Sequence, residues 1–348
     1  MSYSHISASF VKSFSDFLVQ AGVTTLTGCG FRPPLNFPFK KGNINAMKEN
    51  TVKKSSAKNV IFLLIAAFIW GTAFVAQSVG MDFLGPFAFG FIRFLIGGLV
   101  LLPFVLANRK KKHLAVTASR LKLFLPAALI CGLCLFGGSA FQQVALQYTS
   151  VGKAGFITTL YIVLVPLIGI FMKKKTTPLL WGAVGLAVVG LYLLSIKEGF
   201  RIELGDILLL LCALCFAFHI LAVDHFVNRI GALTLSCMQF FMAAVFFMIA
   251  MLISEPLPAL SDIAGAWFPL IYTGVLSCGI AYTFQIVGQK DFNPTAASLL
   301  MSFESVFSVL AGMVVLGEVL SFRETIGCIL MFAAVILAQL PAKKKQPA

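Results

Sequence analysis

Charge is scarce in this chain of 348 residues: charged side chains make up 11% of it, and only 13 residues are acidic. Because 59% of the residues are hydrophobic, a water-soluble domain would have to expose large contiguous apolar patches, which excludes an ordinary soluble enzyme or binding module. Catalytic signatures are also missing. The sequence contains no G-x-x-x-x-G-K-[ST] phosphate loop, so no ATP-driven motor resides in it. It contains neither H-E-x-x-H nor G-x-S-x-G, which argues against an intramembrane hydrolase. Thiols are not absent, but they are not arranged as a ligand set. Cys131-x-x-Cys134 and Cys212-x-x-Cys215 have metal or redox spacing, yet both lie in hydrophobic runs with no third thiol nearby. His219 beside the second pair has no counterpart beside the first. Apolar packing is the role expected of these cysteines, with no disulfide, metal or redox cofactor.

What the sequence has in abundance is long apolar runs. About 18 or more mostly apolar residues can cross a hydrocarbon core as a helix. Ten runs qualify, at 60–79, 86–107, 121–147, 151–172, 178–196, 204–223, 231–253, 264–289, 294–316 and 322–340. The expectation is an all-α, multi-pass membrane protein with ten transmembrane helices.

The net charge of +14 would suit nucleic acid, but its placement points elsewhere. Basic residues gather in alternate loops: Lys53, Lys54 and Lys58, then Arg109 to Lys112 with Arg120 and Lys122, then Lys173 to Lys175, Arg229, Lys290 and Lys343 to Lys345, 17 in all. The intervening loops and span ends hold four: Lys153, Lys197, Arg201 and Arg323. The positive-inside rule then predicts both termini in the cytoplasm and insertion in the cytoplasmic (inner) membrane, with lipid rather than nucleic acid as the surrounding partner.

Residues 1–55 differ in composition and form an N-terminal extension whose longest apolar stretch is broken by Asp16 and Gln20. Leu26-Thr27-Gly28-Cys29 looks like a lipoprotein cleavage box, but the upstream segment is too polar for a signal peptide. Met47 stands shortly before the first span, so residues 1–46 are expected to be disordered or a start-site artefact.

Sliding the chain by 143 residues brings Leu133 onto Leu276, Phe141 onto Phe284, Gln142 onto Gln285, Ala154 onto Ala297 and Tyr161 onto Glu304. Shifts of 145 and 146 bring Trp181-Gly182 onto Ile326-Gly327 and Ala67 onto Ala213. Each half, 60–196 and 204–340, has five spans. Five is odd, so the second half must enter the membrane from the opposite side, giving two inverted five-helix repeats. In secondary transporters such repeats enclose a midplane site reached alternately from either side.

Trp70-Gly71-Thr72-Ala73-Phe74 in span one, Arg93-Phe94 in span two, ALQYTSVGKAGFITTLYIVLVPLIGI across spans three and four, and SLLMSFESVFSVLAGMVVLGEVLSFRETIG across spans nine and ten carry a likeness. In that order they resemble the EamA-type branch of the drug/metabolite transporter superfamily over residues 60–340. The resemblance implies a ten-helix carrier, not an enzyme, moving small metabolites or drugs, often outward, through a central cavity. One departure stands out: the family usually follows the ninth-span glutamate with proline, whereas Glu304 is followed by Ser305. The expectation is therefore no proline kink there, while Pro166 in span four could still bend its helix.

Ionisable and polar residues within spans are costly, so they tend to face the bundle interior and mark a pathway. Glu304 is the one acid deep in span nine; it is either a structural hydrogen-bonding acid or a substrate counter-ion or proton carrier, and the last makes proton coupling an expectation. Its repeat partner Tyr161 could bind substrate. Gln142 and Gln285, with Tyr282 about one turn away, could line opposite walls of one cavity, or simply bond neighbouring helices. His219 could be a satisfied buried imidazole or a ligand or relay group. Trp70 could wall the cavity, with Gly71 allowing close helix approach. Arg93 is expected to snorkel to the surface or bond a backbone carbonyl, and Glu318 to be solvated. The expectation is a secondary transporter using Trp70, Gln142, Tyr161, His219, Tyr282, Gln285 and Glu304 for substrate. The alternative from another class is a membrane enzyme acting on a lipid-linked substrate, but no catalytic cluster supports it.

Overall fold

The computed structural model describes residues 57–111, 118–149, 151–172, 176–195, 203–316 and 321–339. The N-terminal extension, Glu318, and the basic residues Lys173 to Lys175, Lys197, Arg201 and Lys343 to Lys345 lie outside them. Among the described residues there is no strand. Spans one to three are the single helices α1 (Ala57–Gly80), α2 (Pro86–Lys111) and α3 (Ala118–Ala145). Span four is split into α4 (Val151–Thr159) and α5 (Tyr161–Phe171), and span five is α6 (Pro178–Ser195). Spans six and seven are α7 (Leu204–Ile230) and α8 (Ala232–Ser254).

Span eight is preceded by the short helix α9 (Leu260–Gly265) and assembled from α10 (Trp267–Ile271), a π-helical stretch Tyr272–Tyr282 and α11 (Thr283–Gln289). Span nine is split into α12 (Pro294–Met301) and α13 (Glu304–Leu316), and span ten is α14 (Phe322–Gln339).

Eight of these helical segments are long and apolar enough to cross a membrane. The apolar parts of spans five and ten, Pro178–Leu193 and Thr325–Ala338, are shorter than the roughly 20 residues a span needs without tilting or thinning the bilayer. Large apolar side chains cover the outer surface: Phe104, Phe171 and Val314 are 61%, 88% and 87% exposed. Water would not tolerate such a surface, but hydrocarbon does.

The helices pack in a recurring set of pairs: α2 with α8, α6 with α14, α3 with α7, α1 with the π stretch and α11, α1 with α13, and α7 with α4 and α5. Small residues sit where backbones approach most closely, as expected where van der Waals contact rather than hydrophobic force holds helices together. A Cβ on Gly71 would lie 2.6 Å from the Glu304 carbonyl oxygen and 2.8 Å from the Ser308 nitrogen. A Cβ on Gly190 would lie 2.9 Å from the Gly327 carbonyl oxygen. Among the described residues the two largest buried clusters include Leu63, Ile162, Leu191 and Leu299 in one, and Phe94, Leu135, Phe240 and Cys278 in the other. Trp70 and Phe216 pack against both.

Helix ends are tied by side chains from far along the chain. Both carboxylate oxygens of Glu255 accept from the first turn of α2, from the Phe87 and Ala88 N–H groups at 2.8 and 2.9 Å. Asn59 at the start of α1 donates to the carbonyls of Gly288 and Lys290 at 2.9 and 3.0 Å, satisfying the end of α11. Asn293 caps α12 by accepting from the Thr295 and Ala296 N–H groups, with Pro294 next in the chain.

The two split spans break in the same way. At the end of α4 the Thr159 hydroxyl donates to the Phe156 carbonyl at 2.8 Å, and the Leu160 N–H reaches back only three residues, to Ile157. At the end of α12 the Ser302 hydroxyl donates to the Leu299 carbonyl at 2.8 Å, and the Phe303 N–H reaches back three residues, to Leu300. Hydroxyls that bond a nearby carbonyl compete with the helical ladder and bend it. Proline has no part in either break: α5 runs on through Pro166, and the Glu304-Ser305 step carries no proline. The π stretch is bracketed likewise, by Thr273 donating to the Pro269 carbonyl at 2.7 Å and Thr283 donating to the Gly279 carbonyl at 2.6 Å. Widened turns of this kind recur at functional sites.

Candidate functional site

The breaks put Tyr161 and Glu304 at the first positions of α5 and α13, and the two side chains meet. The Tyr161 hydroxyl donates to Glu304 Oε1 at 3.3 Å, with both residues buried. Around them lies a cavity bounding about 520 Å³ of unfilled space, a figure that includes the part open to the outside.

Trp70, Gln142, Tyr161, His219, Tyr282, Gln285 and Glu304 all line this cavity. Six separate spans contribute them, which is why no single helix face looked like a pore in the sequence. The Trp70 and Tyr282 rings lie 4.7 Å apart, and the His219 ring meets Tyr282 edge-on at 6.0 Å. Gln142 Nε2 donates to the Thr158 hydroxyl at 3.3 Å, and His219 Nε2 pairs with Gln239 Oε1 at 3.0 Å. These two side chains therefore both wall the cavity and bond a neighbouring helix. Trp70 Nε1 and Gln285 Oε1 differ from them: each is a buried polar atom with no protein partner among the described residues. Buried groups of that kind are costly unless something else satisfies them, such as water or a ligand.

Arg93 departs from its expected place. It does not snorkel, being 3% exposed and lining the same cavity, and it bonds no backbone carbonyl among the described residues. Its Nη1 donates to the Gln77 side-chain oxygen, and its guanidinium carbon sits 4.9 Å from the Phe94 ring centroid and 5.9 Å from that of Phe89. A polar acceptor and two aromatic faces hold the charge inside, so it does not need to reach the surface. Gln77, Phe74, Phe216, Ser277 and Met301 also line the cavity and were not singled out in the sequence. Phe74 and Gln77 could have been, since they follow Trp70 by four and seven residues on one helix face.

Most of the chain matches a known family. Residues 57–196 and 203–340 each match the EamA-like transporter family. The chain belongs to that family. It is 30% identical over 315 residues to an "Uncharacterized transporter" of Archaeoglobus fulgidus, covering 87% of this chain and 94% of that one. It is 29% identical to the "Uncharacterized transporter YwfM" of Bacillus subtilis, covering 82% and 95%, and 25% identical to the "Uncharacterized inner membrane transporter YedA" of Escherichia coli K12, covering 78% and 87%. A solved crystal structure that shares 22% sequence identity superimposes with a TM-score of 0.68 over 82% of this chain and 97% of its own. That likeness supports the helical fold and nothing finer. The EamA-like protein is thus a multi-pass membrane protein of a transporter family, and its relatives are named as transporters rather than enzymes.

Proposed function

We propose that this protein is a secondary transporter that exports a small polar or amphipathic metabolite across the cytoplasmic membrane by alternating access. In this reading ten helices form two inverted halves, 60–196 and 204–340, with both termini cytoplasmic. The seven predicted cavity residues bind the solute, and Glu304 is its counter-ion or a proton carrier.

One observation carries the proposal. The 143-residue shift that relates Tyr161 to Glu304 also relates the two helix breaks bond for bond, Thr159 to Ser302 and Phe156 to Leu299, and the two related residues meet in the cavity. The packing agrees with it. Exchanging the halves maps α2–α8 and α6–α14 onto themselves, α3–α7 onto α1 with span eight, and α1–α13 onto α7 with span four. Discontinuous helices crossing between inverted halves are a common way to build a midplane site. Proteoliposomes test the proposal. Loaded with a panel of amino acids, nucleosides, sugars and cationic drugs, they should show protein-dependent counterflow of at least one; saturable binding with no flux of any would overturn it.

A further inference from the structure

We propose that Gln239 is a positioning residue: it holds the His219 ring so that Nδ1, as a bare hydrogen-bond acceptor, is the edge presented to the solute. This rests on the cavity being the transport site. His219 lines the cavity from α7, whereas Gln239, on α8, is outside the lining among the described residues. Both side chains are buried, and His219 Nε2 meets Gln239 Oε1 at 3.0 Å. Nε2 is thus turned away from the cavity toward the neighbouring helix, and of the two ring nitrogens Nδ1 is the one left for the cavity.

An amide oxygen can only accept, so the bond to Oε1 puts a proton on Nε2, and in a neutral imidazole the other nitrogen is then a lone pair. Gln239 Nε2, the opposite corner of the amide, has no protein partner among the described residues. The anchor is itself held. A Cβ on Gly132 of α3 would lie 3.3 Å from the Gln239 carbonyl oxygen and 2.6 Å from the Met242 Cβ, so α3 fits tightly against α8 at this point. Phe240, the next residue, packs edge-on against Tyr282 at 5.8 Å, and Tyr282 meets the His219 ring edge-on at 6.0 Å. A hydrogen bond on one side and a ring contact on another fix how the imidazole is turned.

The first half of the chain supplies the internal comparison. A shift of 146 brings Arg93-Phe94 onto Gln239-Phe240, and the two phenylalanines, both fully buried, lie 6.0 Å apart. The residue before each bonds a polar side chain of the preceding span: Arg93 bonds Gln77 on α1, and Gln239 bonds His219 on α7. Arg93 and Gln77 both line the cavity. In the second half only His219 does, so the link there serves to aim one member at the cavity from outside it.

The chain has four histidines, so nitrogen NMR of the full-length protein, labelled at the imidazole nitrogens and held in lipid nanodiscs, can read a single ring. The His219 signals are those lost in His219→Gln. Wild type should show Nε2 protonated and Nδ1 bare, and Gln239→Leu should shift His219 toward the other tautomer. Substitution at His219 separates the two edges, because asparagine places its side-chain oxygen where Nδ1 lies and glutamine reaches to where Nε2 lies. The readout is counterflow of the panel of amino acids, nucleosides, sugars and cationic drugs. His219→Asn should keep the half-saturation concentration of an exchanged solute within about threefold of wild type, whereas His219→Gln and Gln239→Leu should raise it about tenfold, the effect of one hydrogen bond. The inference is overturned if Nδ1 of His219 carries a proton, alone or together with Nε2, or if Gln239→Leu leaves the tautomer unchanged. It is also overturned if His219→Gln transports as well as His219→Asn or better, the order expected of a plain tie between α7 and α8. Should Gln239→Leu fail to fold, the wild-type tautomer and the two His219 substitutions decide. A wild type that exchanges nothing in the panel sinks the transporter reading instead, and the tautomer still decides whether Gln239 holds the ring.

Discussion

Tyr161 and Glu304, 143 positions apart, open the second halves of two broken helices, and the phenol of one donates to the carboxylate of the other at 3.3 Å. A pair so placed is both a hydrogen-bonded joint between helices and a wall of the cavity, and the two roles respond differently to substitution. Tyr161→Phe keeps the ring and its packing but leaves the Glu304 oxygen without this donor. Losing one hydrogen bond to a buried carboxylate costs about 1–3 kcal/mol. In proteoliposomes the transport affinity or rate should fall roughly tenfold, while the folded protein persists in detergent.

The breaks themselves can be tested. Ser302→Ala removes the hydroxyl that competes with the helical ladder at the end of α12, so span nine should become straighter and no less stable. If the break serves transport, flux should drop while the melting temperature holds or rises. Equal flux in Ser302→Ala and wild type would assign the break a packing role alone.

Gly71 fits against the backbone of α13 beside Glu304. Its replacement by alanine puts a methyl group 2.6 Å from the Glu304 carbonyl oxygen and 2.6 Å from the Phe307 Cβ, where backbone must move. Overpacking of this kind costs about 1–3 kcal/mol, so Gly71→Ala should unfold at lower temperature in detergent. Gly182→Ala provides the control, since a Cβ there meets nothing within 4 Å.

Glu255 holds the first turn of α2 from the chain segment after α8, through two bonds to backbone N–H groups. Glu255→Ala leaves those donors without the carboxylate and removes a negative charge from a helix N-terminus; a lost cap costs about 0.5–2 kcal/mol. Hydrogen exchange should quicken at Phe87 and Ala88 before it does in the interior of α2.

The helices were legible because hydropathy and length alone define a candidate span, and the 143-residue shift that leaves its mark in the sequence runs between the two stretches that each match the family. Glu304, Tyr161 and the Gln142–Gln285 pair stood out because a polar group in hydrocarbon needs a reason to be there. Hydropathy says nothing about the backbone within a span. The breaks at Thr159 and Ser302 and the π stretch from Tyr272 arise from hydroxyls bonding carbonyls three or four residues back, and Ser and Thr are common enough in spans to give no warning. The expectation for Arg93, a side chain that snorkels or bonds a backbone carbonyl, fails because the partner that holds it inside, Gln77, lies 16 positions away on another helix. Its counterpart in the other half, Gln239, could have marked it, since one bears a charge where the other manages without.

The transport role of the acid at the centre of the cavity is tested most directly by the pH dependence of counterflow for wild type and Glu304→Gln in the same proteoliposomes. Glutamine keeps the shape and can still accept from the Tyr161 hydroxyl, but it carries no charge and does not titrate. The account predicts that Glu304→Gln flattens the pH profile while exchange persists, if the residue carries a proton, or loses affinity for the cationic group, if it is the counter-ion. Unchanged affinity, rate and pH profile would contradict both roles and leave Glu304 as a hydrogen-bonding strut between two broken helices.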